Sequence, residues 1–167
     1  MTPKQIMKSL IFLLLLLTRL AYGGELPKAD AVLVRKNERK MYLLKNEKPF
    51  REYKVVLGAN PKGHKQQKGD ERTPEGQYVL DYKKSDSDFY KAIHISYPND
   101  DDRKRAWKSG VNPGGSIMIH GQKNELSWLS FISQSLDWTN GCIAVKNHDM
   151  DEIWKAVCVG TPITIEP

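Results

Sequence analysis

Two residues of the 167-residue chain carry side chains that could do covalent chemistry together: Cys142, in TNGCIAV (139–145), and His120, in SIMIHG (116–121). A thiol becomes a nucleophile when a base or a positive field favours its thiolate. A cysteine beside a histidine whose ring is oriented by a third group is the general form of an acyl-transfer site. The Gly141-Cys142 step also offers backbone N–H groups to a developing oxyanion. Both residues have plainer readings. Cys142 opens the apolar run Ile143-Ala144-Val145 and suits a strand start as a small apolar residue, and His120 suits an edge-strand histidine bonded to a loop. The other cysteine, Cys158, lies in the apolar run of EIWKAVCVG and reads as packed core. In an oxidising compartment two cysteines invite a disulfide, which would remove the nucleophile. A papain-like protease is set aside, because there the cysteine precedes the histidine.

Other candidates are weaker. His94 alternates within a strand and reads as half exposed, His148 falls in the first turn of a helix, and His64 sits in a polar loop; the last two read as solvated. Cys142, His148 and Cys158 lack zinc-ligand spacing, so neither a metal nor a cofactor is expected. Trp107, Trp128, Trp138 and Trp154 could line a groove, but tryptophans in small β domains more often fill cores. The run from Asp100 to Arg105 reads as a solvated helix face.

The elements that would position the two residues follow from periodicity and turn chemistry. AVLVRK (31–36) and KMYLLKN (40–46) form a hairpin around Asn37-Glu38-Arg39, and residues 50–59 form a third strand. Residues 60–76, rich in Gly, Pro, Lys and Asp, make a long surface loop of the kind that carries function. Strands are expected over 77–83, 92–98 and 116–121, with a further strand in CIAV and a last one in PITIEP. Helices are expected over 99–110, 124–136 and 148–158, the last capped by Asn147. The sum is a mainly-β domain, a sandwich or barrel with a few peripheral helices. The helix and loop between His120 and Cys142 would serve as the crossover between neighbouring strands.

Residues 1–23 read as a secretory signal peptide: Lys4 and Lys8, an apolar block from Leu10 to Leu17, and small residues at Ala21 and Gly23. Residues 24–30 follow as a short tail and 31–167 as one domain, exported to the periplasm. Without the signal, 23 basic and 20 acidic residues remain. That mild balance argues against nucleic acid and suits anionic polymers of the cell envelope.

GDERTPEGQYVLD, SIMIHG and TNGCIAVKN together resemble the catalytic domain of YkuD-type L,D-transpeptidases, over roughly residues 30–167. The resemblance implies a mostly-β sandwich-like domain whose partner is a peptidoglycan stem peptide and whose inhibitors include carbapenems. It implies that Cys142 attacks the bond between meso-diaminopimelate and the terminal D-alanine and that His120 is the base. The Gly121 carbonyl would orient the ring, and N–H groups of Asn140, Gly141 and Cys142 would form the oxyanion hole. The acyl group would pass to an amine of a second stem, or to water. The chain departs from the family pattern at Asn140, where histidine is common, and at Ala144, where arginine is common. The stretch from His120 to Thr139 is also longer than usual. A contact to the substrate carboxylate is then expected from elsewhere, with Lys65, Lys68 and Arg72 as candidates. A non-catalytic wall-binding module is the competing reading.

Overall fold

The computed structural model describes residues 26–122 and 136–167. The expected signal peptide and most of the expected 124–136 helix lie outside the described residues. Within them, alternation of apolar and polar side chains sets the strands. In β1 (Ala31–Arg35) the buried positions are Val32 and Val34; in β2 (Lys40–Lys45) they are Met41 and Leu43. The other strands are β3 (Lys48–Lys54), β4 (Gly76–Ser87), β5 (Tyr90–Ile95), β6 (Met118–His120), β7 (Ile143–Ala144) and β8 (Thr161–Glu166). They form one sheet in the order β3-β2-β1-β8-β4-β5-β6-β7. The chain end returns to its centre: β8 runs parallel to β1, with Val32 opposite Ile163, and antiparallel to β4. The mainly-β expectation therefore holds as a single curled eight-stranded sheet.

The expected third strand, 50–59, differs in a way that matters for the site. Its ladder with β2 ends at Lys54. Beyond that point the backbone leaves β2 and meets the far end of the sheet. Val56 and Ala144 exchange N–H···O=C bonds of 2.9 and 2.8 Å, and Gly58 bridges Thr139. The sheet thus curls until the continuation of one edge strand touches the other edge.

Residues 60–75 form the expected long loop, tied down by a residue that periodicity does not single out. Lys36, just past β1, is buried, and its ammonium donates to Gly63 O (2.7 Å), Thr73 O (3.0 Å) and Glu75 Oε1 (2.8 Å). Burial pulls its pKa down, against the opposing pull of Glu75. Thr73 Oγ1 in turn accepts the Gly58 N–H at 3.2 Å. Gly58 must lack a side chain, since a Cβ there would lie 2.0 Å from Glu71 O.

Among the described residues, two helices pack on the sheet. In α1 (Asp100–Lys108), Asn99 and Asp102 form a reciprocal capping box. The solvated-face expectation fails at Asp102: it is buried and accepts from Tyr78 Oη at 2.9 Å. His64, expected in solvent, is half-buried beside it, with Nε2 3.0 Å from Asp102 Oδ1 and Nδ1 accepting the Glu75 N–H at 2.9 Å. Trp107 is exposed rather than core. In α2 (Asn147–Ala156), Met150, Ile153 and Ala156 face the core. The cap is Lys146 rather than Asn147, whose side chain is used elsewhere. Cys158 follows this helix and is exposed, not packed.

Replacing Lys36 by Met would strand its three acceptors, one of them a carboxylate. Lys36→Met is expected to cost about 3 kcal/mol or more in urea unfolding. Lys40→Met, at an exposed pair with Glu52, should leave the urea midpoint essentially unmoved.

Candidate functional site

The curled sheet brings His120 and Cys142 to one face. β6 and β7 run parallel, with His120 opposite Ala144 and Ile119 opposite Ile143. Carried one residue further, that register sets Cys142 opposite Met118. Side chains two apart on a strand share a face, so Cys142 lies on the His120 side.

His120 is buried, packed against the Phe89 ring (4.6 Å between centroids) and edge-on to Trp138 (6.1 Å). Its Nδ1–H donates to Gly121 O at 2.6 Å, which assigns the basic lone pair to Nε2. Burial pushes its pKa below the ordinary histidine value, opposed by the Gly121 carbonyl, so the ring is neutral at pH 7. The Gly121 carbonyl is held in place because the residues around it are: the Gly121 N–H donates to Lys91 O (3.1 Å) and the Gln122 N–H to Asn147 Oδ1 (2.8 Å).

Cys142 is half-buried, Cys158 is exposed, and neither is in a disulfide. Its thiol donates to Ser116 O at 3.6 Å. Burial pushes its pKa up, while the Met118 N–H and the Lys65 charge pull the other way. The turn before it is built around Thr139, whose Oγ1 donates to Cys142 O (2.7 Å) and accepts the Gly141 N–H (3.2 Å). Gly141 has φ 115°, and a Cβ there would lie 2.6 Å from Arg72 O. The turn also hangs from the segment after β3: the Thr139 N–H donates to Leu57 O (3.2 Å) and the Ala59 N–H to Thr139 O (2.9 Å).

The three cationic candidates have different placements. Lys65 is buried, with its ammonium on Asp70 Oδ1 (2.7 Å) and Gln67 O (3.1 Å); it braces the loop and reaches Cys142 only through its field. Asp70 also accepts the N–H groups of Gln66, Gln67 and Arg72. Lys68 is exposed, and its N–H donates to Asn112 O at 2.7 Å. The Arg72 backbone packs on Gly141, while its Nη1 lies toward Gly63. Asn140 is exposed beside the thiol, where a histidine was expected from the family pattern. His94 is half-buried against Asp81, and His148 is exposed.

Phe89 and Asp137 carry no chemical motif and were not singled out by spacing, and Asn147 was read only as a helix cap. Thr139 was legible only as part of the TNGC segment, whose turn its hydroxyl ties together.

The profile of the YkuD family, the L,D-transpeptidase catalytic domain, matches residues 29–165, and the chain belongs to this family. Over 107 residues it is 34% identical to YafK of Escherichia coli (strain K12), provisionally named an L,D-transpeptidase, covering 63% of this chain and 36% of YafK. The structure superposes on Pgp2, a helical cell shape determining protein of Campylobacter jejuni, with a TM-score of 0.61 and 26% identity, over 81% of this chain and 46% of Pgp2. The chain thus spans less than half the length of either relative. LdtMt1 in complex with imipenem shares the fold, with a TM-score of 0.52 at 16% identity over 81% of this chain and 57% of that one.

Gly141→Ala must push the turn off Arg72 O and hold alanine at a positive φ. It is expected to cost about 2 kcal/mol or more in thermal or urea unfolding. The two pKa directions predict a resting thiol and neutral imidazole. In a Cys158→Ser background, the iodoacetamide alkylation rate of Cys142 should rise with pH to a midpoint above the ordinary thiol value, about 8.5. A midpoint near 7 or lower would instead reveal a resting thiolate–imidazolium pair.

Proposed function

We propose that the domain is a periplasmic peptidoglycan L,D-transpeptidase with Cys142 as nucleophile and His120 as base. The observation that carries this reading is the His120 ring, whose Nδ1 is committed to Gly121 O, leaving Nε2 basic on the face that holds the Cys142 thiol. In the first half-reaction Sγ attacks the carbonyl of the meso-diaminopimelate–D-alanine bond and its proton passes to His120 Nε2. The negative charge on the carbonyl oxygen is met by the N–H groups of Cys142 and Asn140. Gly141 serves by shaping the turn, since its own N–H is committed to Thr139 Oγ1. The C–N bond breaks, the proton on His120 goes to the D-alanine amine, and a thioester remains on Cys142. In the second half-reaction an amine of another stem attacks the thioester and gives its proton to His120, the C–S bond breaks, and His120 returns the proton to the Cys142 sulfur. Lys68 and Arg72 are the side chains we assign to the donor stem's carboxylate, with Lys65 adding positive field.

Two features support a general-base route over a preformed ion pair: burial raises the thiol and lowers the imidazole. The imidazole must be deprotonated to act, so kcat/KM is expected to fall on the acid side through a pKa below the ordinary 6.5 and to be flat from pH 7 to 8.

Cys142→Ala and His120→Asn are expected to abolish turnover of disaccharide-tetrapeptide by the purified protein, read by mass spectrometry of the muropeptides. Cross-linked dimers identify an amine acceptor, and tripeptides without dimers identify water. Full turnover by Cys142→Ala would refute the assignment of the nucleophile, and no turnover by the wild-type protein would favour a wall-binding module. Carbapenem is expected to add its mass to Cys142 and to nothing in the Cys142→Ala variant.

A further inference from the structure

The turn that carries Cys142 is anchored at its upstream side by an ion pair that the chemistry above does not use. Asp137 lies two residues before Thr139. Its carboxylate takes both arms of the Arg39 fork, Nε at 3.0 and 3.2 Å and Nη2 at 2.7 Å, and accepts the Leu57 N–H at 3.0 Å. The pair is partly shielded, with 34% and 17% of the side chains exposed. Arg39 is itself fixed: it sits in the β1–β2 turn at φ 54°, donates through Nη1 to Lys36 O, and accepts the Val55 N–H on its carbonyl at 2.9 Å. One carboxylate therefore ties three backbones together: the β1–β2 turn, the segment that closes the sheet, and the segment entering the turn that bears Cys142. A forked guanidinium–carboxylate contact fixes direction as well as distance.

We propose that Arg39 and Asp137 are positioning residues of the acyl-transfer site, setting where Cys142 stands relative to His120. The proposal rests on Cys142 and His120 being the reacting pair. Misplacing a nucleophile by an ångström weakens the transition state without touching substrate binding, so the loss belongs in kcat rather than KM.

The test uses the full chain with Cys158→Ser, in the variants Arg39→Ala, Arg39→Lys, Asp137→Asn and Arg39→Ala/Asp137→Asn, assayed below each variant's melting temperature. Asp137→Asn keeps an acceptor for the Leu57 N–H and removes only the charge. Arg39→Ala and Asp137→Asn are expected to lose about 10- to 100-fold in kcat with KM within about twofold. Arg39→Lys should lose less than Arg39→Ala, and the double variant no more than its worse single. Independently of any substrate, the iodoacetamide midpoint of Cys142 should fall toward the ordinary thiol value in Arg39→Ala and Asp137→Asn, because a loosened turn wets the sulfur. Wild-type kcat and an unmoved midpoint in folded Arg39→Ala and Asp137→Asn would overturn the proposal. Cys142→Ala, run alongside, separates the two ideas: its inactivity beside unimpaired Arg39→Ala sinks only the positioning role, whereas its turnover sinks the nucleophile on which that role rests.

Discussion

The reciprocal hydrogen bonds between Val56 and Ala144 close the sheet, and the site depends on that closure. β7 is only two residues long and pairs with β6 on one side. Such a short strand cannot hold its own register, since a single-sided parallel pair of two residues makes too few ladder bonds. The segment after β3 supplies the other side. It then continues to Gly58 and Ala59, where it grips Thr139, so the backbone that closes the sheet also supports the turn bearing Cys142. Two glycines permit the approach. Gly58 lies against Glu71 and Gly141 against Arg72, which stacks the long loop, the closing segment and the turn bearing Cys142 backbone to backbone.

Electrostatics follow from that packing. A turn pressed between backbones desolvates its thiol, and a histidine enclosed by Phe89 and Trp138 is desolvated too. Desolvation acts against charge on both. The Lys65 ammonium, held by Asp70, supplies positive field from inside the loop without entering a direct contact with the thiol. The loop thus contributes through its internal bonding as much as through any side chain it presents outward. Lys36 enforces that arrangement from the sheet side, joining Gly63, Thr73 and Glu75 to the end of β1.

Much of this was legible in the sequence where local pattern carries the signal. Alternation placed β1, β2 and β8, and the IHG and NGC segments located the histidine and the cysteine. What was not legible depends on partners distant in the chain. The 50–59 stretch reads as one strand because its apolar pattern is continuous; its change of partner at Lys54 is a property of sheet curl. Asp102 and His64 read as solvated because isolated polar residues usually are, and only the packing of α1 against Tyr78 buries them together. Cys158 looked like core because it lies within an apolar run, yet it falls beyond the end of α2 and is exposed. Arg39 and Asp137 are 98 residues apart and carry no motif between them.

The chain belongs to the YkuD family, and the chemistry proposed for it rests on an Nδ1 tied to Gly121 O, an Nε2 left with the lone pair, and a thiol whose burial disfavours its charged form. The most direct measurement is acid quench of the wild-type protein during turnover of a disaccharide-tetrapeptide, followed by peptide mapping. The account predicts a thioester that adds the stem's acyl fragment, released of D-alanine, to the peptide containing Cys142. Turnover with no adduct on that peptide, undiminished in Cys142→Ala, would contradict it.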